Sequence, residues 1–175
     1  MVGGGLVITD RRTTGIQIED QAIEFKAAAR VRELATLGRV DAVSYNRVVL
    51  LTGEVPAAAD RAAVERAVAA VENVRSVVNE LALGERPSLA ARSNDAVLAG
   101  KVKATLVDAK DVQANAYKVV ADRGVVYLMG RVTEREAQRG TDIARSVSGV
   151  HKVVRVFEIL TEAELAALGT SAAPR

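Results

Sequence analysis

The residues able to do chemistry in this chain are few and scattered. His151 is the only histidine and there is no cysteine, which excludes thiolate catalysis, disulfides and zinc–thiolate sites. One imidazole among dispersed carboxylates does not make a metal site, and His151, where a strand begins, reads as a surface or structural residue. Asp20 and Asp95 stand where helices are predicted to start and read as N-caps. Thr133-Glu134-Arg135-Glu136 has the capping-box pattern, a hydroxyl followed three residues later by Glu, with both acids suited to the helix dipole. Gly3-Gly4-Gly5 does not lie between a strand and a helix, as a phosphate loop must. No nucleophile is paired with a base, so the expectation is a non-enzymatic protein without cofactor or metal.

What remains is a pair of cations. Leu98, Val102 and Leu106 recur at a spacing of four and mark the core stripe of a helix. On that helix Val97, Lys101 and Ala104 share another face, while Lys103 flanks the core stripe on its other side. A solvated helix face and a contact with an anionic surface both fit this arrangement.

The elements that position these residues come as a duplicate. Val48-Val49-Leu50-Leu51-Thr52-Gly53-Glu54-Val55 returns as Val125-Val126-Tyr127-Leu128-Met129-Gly130-Arg131-Val132, 77 positions later. Val71–Asn79 returns as Val147–Arg155, and Asp20, Ile23, Ala27 and Val31 match Asp95, Leu98, Val102 and Leu106, 75 positions on. Two units at this period mean tandem small domains. In each, a helix precedes a hairpin, a second helix and a last strand. The hairpins turn at Asn46-Arg47 and at Asp122-Arg123-Gly124, and the second helices carry Val64, Ala67, Val68, Val71 and Ala137, Gly140, Ala144, Val147. The reading is an α+β chain of two α-β-β-α-β domains. Each has a three-stranded mixed sheet, two helices on one face, and a right-handed crossover between second and third strands. The apolar runs Val48–Leu51 and Val125–Met129 do not alternate, as in strands buried on both sides. The helix-free sheet face is therefore expected to be covered by the other repeat or a second chain.

The expected organisation is a flexible tether over 1–16, domain 1 over 17–83, a linker over 84–92, domain 2 over 93–160 and a tail over 161–175. Met1-Val2-Gly3-Gly4-Gly5 lacks the basic start and apolar stretch of a signal peptide, so a cytosolic protein or a chain starting past a processed leader is expected. No apolar run approaches the ~18 residues of a membrane-spanning helix. Net charge is +2 but uneven: residues 17–83 hold eight basic and ten acidic residues, residues 92–160 twelve and eight. Aromatics are only 3% of the chain. With no aromatic pair on the strands and no Gly-x-x-Gly loop between helices, nucleic acid is not an expected partner.

A Gly after an apolar second strand, then Ser146-Val147-Ser148-Gly149-Val150-His151-Lys152-Val153, resembles the BON domain. Two such units after Asp10-Arg11-Arg12-Thr13-Thr14-Gly15 are similar to dual-BON-domain outer-membrane lipoproteins over about residues 8–160. Ser93-Asn94-Asp95 and Leu128–Ala137 carry the likeness in copy two. It is looser in copy one, where Asn73 stands at the Gly149 position. The resemblance implies a periplasmic, outer-membrane-associated protein anchored by an N-terminal lipidated Cys, which this chain does not contain. It further implies binding of anionic phospholipid by the second domain and support of outer-membrane integrity and cell division. The contact centres on the first helix of domain 2, where a family Trp falls at Val97 and basic positions fall at Lys101 and Lys103. The site read from this is Val97, Leu98, Lys101, Val102, Lys103, Ala104 and Leu106. The alternative is a cell-envelope adaptor that binds protein partners through the acidic, Ala-rich domain 1. Oligomeric state stays open.

Overall fold

In a computed structural model, which describes residues 10–172, the chain divides into two compact units. Arg12–Ser88 forms one, and Leu89 onward, joined by Arg11, forms the other. The first runs α1 (Thr14–Glu33), β1 (Arg39–Tyr45), β2 (Val48–Val55), α2 (Ala58–Ala69), β3 (Ser76–Asn79) and β4 (Ala82–Leu83). The second runs α3 (Leu89–Asp108), a 3-10 turn (Ala114–Ala116), β5 (Lys118–Asp122), β6 (Val125–Thr133), α4 (Glu134–Ser146) and β7 (Lys152–Leu160), with α5 (Glu162–Ala172) after it. This is the tandem α+β arrangement the repeat predicts.

Each sheet is centred on its apolar second strand. β2 pairs antiparallel with β1 and parallel with β3, and β4 resumes the parallel ladder from Glu54↔Ala82. β6 likewise lies between antiparallel β5 and parallel β7, the latter in register from Val125↔Lys152 to Thr133↔Leu160. A parallel pair needs a long crossover, which α2 and α4 supply. The helix-side core of the first unit gathers Ile23 and Ala27 from α1, Val49, Leu51 and Val55 from β2, and Val64 and Val68 from α2. Leu98, Val102, Leu106, Val126, Leu128, Val132, Ala137 and Ala144 do the same in the second. Successive strand residues point to opposite faces, so Leu50, Thr52, Glu54, Tyr127 and Met129 lie on the other sides of their sheets. They too are buried, and this is why neither run alternates.

The repeated Gly closing each run has a steric cause. Gly53 has φ +124°, and a Cβ there would stand 2.0 Å from the Arg39 carbonyl oxygen. At Gly130 it would stand 2.2 Å from that of Ala116. At the ends of α2 and α4, Asn73 and Gly149 both take positive φ, 74° and 98°. Asn tolerates that conformation better than other side chains, so copy one's departure leaves the backbone path unchanged.

Two expectations need correction. Asp20 and Asp95 are not helix caps: α1 begins at Thr14, with the Thr13 hydroxyl accepting the Ile16 N–H at 3.1 Å, and α3 begins at Leu89. Both aspartates sit inside their helices and clasp the hairpin turn of their own unit. Asp20 accepts the N–H groups of Asn46 and Arg47 at 2.8 and 2.9 Å. Asp95 accepts those of Arg123 and Gly124 at 2.8 and 3.0 Å. Those turns hold both central residues at positive φ, the tight two-residue form that suits twisted strands, and their N–H groups converge on one carboxylate.

The second correction falls on the lead-in. Residues 1–9 of it lie outside the described residues, but Arg11 is only 8% exposed. Its guanidinium donates two parallel bonds of 2.8 Å to Glu136 and one to the Arg131 carbonyl. Arg12 pairs with Asp20 at 3.0 Å and lies over the Tyr45 ring. Glu136 also completes the capping box foreseen at Thr133, accepting the Thr133 N–H while Thr133 accepts its own. Burial acts to raise the Glu136 carboxyl, but the Arg11 and Thr133 bonds outweigh it and hold the group below its ordinary value. Beside it, burial first and the Glu136 charge second push the Tyr117 phenol up to about 12; its hydroxyl donates to the Glu136 carbonyl at 2.7 Å.

Candidate membrane-contact site

α3 carries every residue of the predicted site, and its geometry sorts them into two groups. Leu98, Val102 and Leu106 are at most 6% exposed and belong to the core. They fix the helix against β5 and α4 and are not available to a membrane surface. Val97, Lys101, Lys103 and Ala104 are exposed. At 100° per residue the direction opposite the core stripe is occupied by Val97, Gly100, Ala104 and Val107, in line with Leu89 at the helix start. Leu89, Val97 and Val107 are 80%, 62% and 68% exposed.

The outward face is therefore an apolar ridge along α3, with Lys101 on one flank and Lys103 on the other. Leu89 and Val107 extend the site beyond the residues the sequence points to. The spacing 97, 100, 104, 107 was there to find, but Gly and Ala dilute its apolar signal. Leu89 sits in a stretch assigned to the linker.

The two lysines are held differently. Lys101 reaches across to the turn that follows α4 and donates to the Ser148 carbonyl at 3.0 Å. Lys103 projects from the opposite flank. Beside the first half of α3 lies a shallow cleft of about 410 Å³ walled by Val97, Lys101, Arg123, Gly149 and His151. Asp95 lines it too, with both carboxylate oxygens already accepting backbone N–H groups. Lys101 and Arg123 are the two cations of a lining that is otherwise mostly apolar or neutral. His151, the lone histidine, lies at this rim with its ring against Gly124, where a Cβ would fall 2.1 Å from it. Among the described residues no cluster of His, Asp or Glu could hold a metal ion, and no helix is long and apolar enough to cross a membrane.

Comparison with known proteins places the fold. The family model of the BON domain matches residues 19–85 and 94–161. The chain is 41% identical over 167 residues to outer membrane lipoprotein DolP of Haemophilus influenzae, covering 91% of this chain and 86% of that protein. It is 31% identical over 151 residues to a 21 kDa hemolysin of Actinobacillus pleuropneumoniae, covering 85% and 78%. A solved structure of CdsD, from the type III secretion system of Chlamydia trachomatis, covers 86% of this chain and 98% of its own at 15% identity and a TM-score of 0.33, a likeness too loose to bear on fold or function. With two helix–hairpin–helix–strand units, both matched by the same family model, this chain belongs to the BON-domain family.

Proposed function

We propose that this protein is a non-enzymatic cell-envelope protein that docks on anionic phospholipid through the outward ridge of α3 and so supports outer-membrane integrity. The carrying observation is that ridge: Leu89, Val97 and Val107 stand opposite the core, between two lysines. The name of the Haemophilus relative, an outer membrane lipoprotein, supports the setting. A basic residue near an anionic leaflet contributes about 1 kcal/mol. Partial burial of three aliphatic side chains adds roughly 3 kcal/mol, taking half or less of full burial for each. The sum, about 5 kcal/mol, corresponds to sub-millimolar affinity. A contact of that strength persists only with a second attachment, as single weak anchors generally require.

Vesicle flotation with phosphatidylglycerol against phosphatidylcholine tests the reading. The chain should float with the anionic vesicles, and Lys101→Glu/Lys103→Glu should lower the bound fraction at least about tenfold, two charges being reversed. Lys103→Glu alone, which leaves the Lys101–Ser148 bond intact, should give an intermediate loss. Equal binding to both lipids, or unchanged binding by both variants, rejects the site.

A further inference from the structure

The first helix of domain 1 is apolar on two opposite faces, and only one of them packs on a core. Ile23 and Ala27 point inward. Ile18 and Phe25, seven residues apart and so on one line, point directly away, at 62% and 75% exposed. Ala22 and Ala29 fill the stripe between and beyond them, and Arg32 continues the line seven residues past Phe25. We propose that this face of α1 is a second membrane contact, with Phe25 entering the headgroup boundary of an anionic leaflet. The proposal rests on the reading of this protein as one that docks on anionic membrane and adds a site in the other domain.

Charge argues for lipid. Of the helix's acids, Glu19 pairs with Arg47, Asp20 is buried, and Glu24 accepts the Ser44 N–H. Arg32 stands on the line itself in the last turn, and Glu33 lies about 100° round from it, toward Arg30 on the far flank. The one charge on the stripe itself is therefore the cation of Arg32. Size argues against a second copy of the chain or a folded partner. A stable protein interface buries roughly 1,200–2,000 Å², and a convex stripe with two large side chains falls well short. A projecting aromatic beside basic residues is what an interfacial helix uses. In the repeat, Phe25 aligns with Gly100 and Ile18 with Ser93, while Ala22 and Arg32 align with Val97 and Val107. Phe25 and Ile18 thus stand where α3 has Gly100 and Ser93, and Val97 stands where α1 has Ala22, so the large apolar side chains of the two outward lines occupy different positions.

The chain contains no tryptophan, so Phe25→Trp and Val97→Trp each introduce a single indole at an exposed position. With phosphatidylglycerol vesicles both should shift emission to the blue and be quenched by lipid brominated on its acyl chains. Phe25→Ser should bind the same vesicles roughly fivefold more weakly, as loss of one interfacial aromatic implies. A response at Val97→Trp with none at Phe25→Trp overturns this proposal and leaves the α3 site standing. A response at Phe25→Trp alone upholds this contact and removes that of α3. Silence at both removes both. A blue shift of Phe25→Trp that grows with protein concentration in the absence of lipid assigns the face to self-association and overturns the proposal.

Discussion

Asp20→Ala should unfold domain 1 at temperatures the native protein withstands. Its carboxylate is 1% exposed and accepts four bonds: from the Ser44 hydroxyl at 2.7 Å, the Asn46 and Arg47 N–H groups, and Arg12 at 3.0 Å. Alanine removes an acceptor shared by two backbone donors, a buried hydroxyl and a guanidinium. Removing one partner of a buried charged pair costs about 3–5 kcal/mol, and units of this size have little to spare. At about 4 °C or more per kcal/mol for a domain of this length, the domain 1 transition should fall by at least about 12 °C in a thermal melt. Asp95→Ala removes the matching clasp in domain 2, which is partly exposed and holds two backbone donors, so its cost should be about 1–2 kcal/mol. Equal effects at the two positions would show that the clasps are not graded by burial and bond number.

Gly53→Ala should cost domain 1 about 3 kcal/mol or more. A left-handed backbone is unfavourable for alanine, and the methyl would overlap the Arg39 carbonyl, a strand partner that cannot rotate away as a side chain would. Relief requires prising β1 from β2, which breaks the ladder between Val40↔Gly53 and Arg39↔Glu54. Gly100→Ala is the built-in contrast. It lies in α3 with nothing within 4 Å of the added carbon, so it should stabilise domain 2 by about 0.5–1 kcal/mol, the usual gain over glycine within a helix. Urea denaturation of both variants measures the pair; a Gly53→Ala cost under about 1 kcal/mol would contradict the steric account.

These residues also show what the sequence could and could not reveal. The duplicated β2 and β6 runs with their terminal glycines were legible, because sheet burial on two faces and one carbonyl clash each leave a local mark. The capping box at Thr133 and Glu136 was legible because it spans four residues. Asp20 and Asp95 were misread because their partners lie in the hairpin, 26 to 29 residues on. An aspartate before a periodic stripe looks locally the same whether it caps a helix or clasps a distant turn. The Arg11–Glu136 pair joins residues 125 apart and leaves no periodic trace. At α3 the core face was plain from Leu98, Val102 and Leu106. The ridge beyond Val97 was not, since small residues interrupt it. At α1 only the inward stripe is legible, because on the outward face Ile18 and Phe25 stand seven residues apart among small and polar residues.

The absence of native cysteine permits the most direct test of the membrane account. Single cysteines at the positions of 96 to 107 that do not enter the core, each carrying a nitroxide, would report burial in phosphatidylglycerol vesicles through their accessibility to oxygen against a water-soluble nickel complex. Positions 97, 100, 104 and 107 should move into the apolar phase, while 99 and 105, half-buried on the flanks of the core stripe, keep the accessibility they have in solution. Uniform aqueous exposure along the whole segment, with the chain bound to the vesicles, would contradict the assignment of α3 as the surface that meets the lipid.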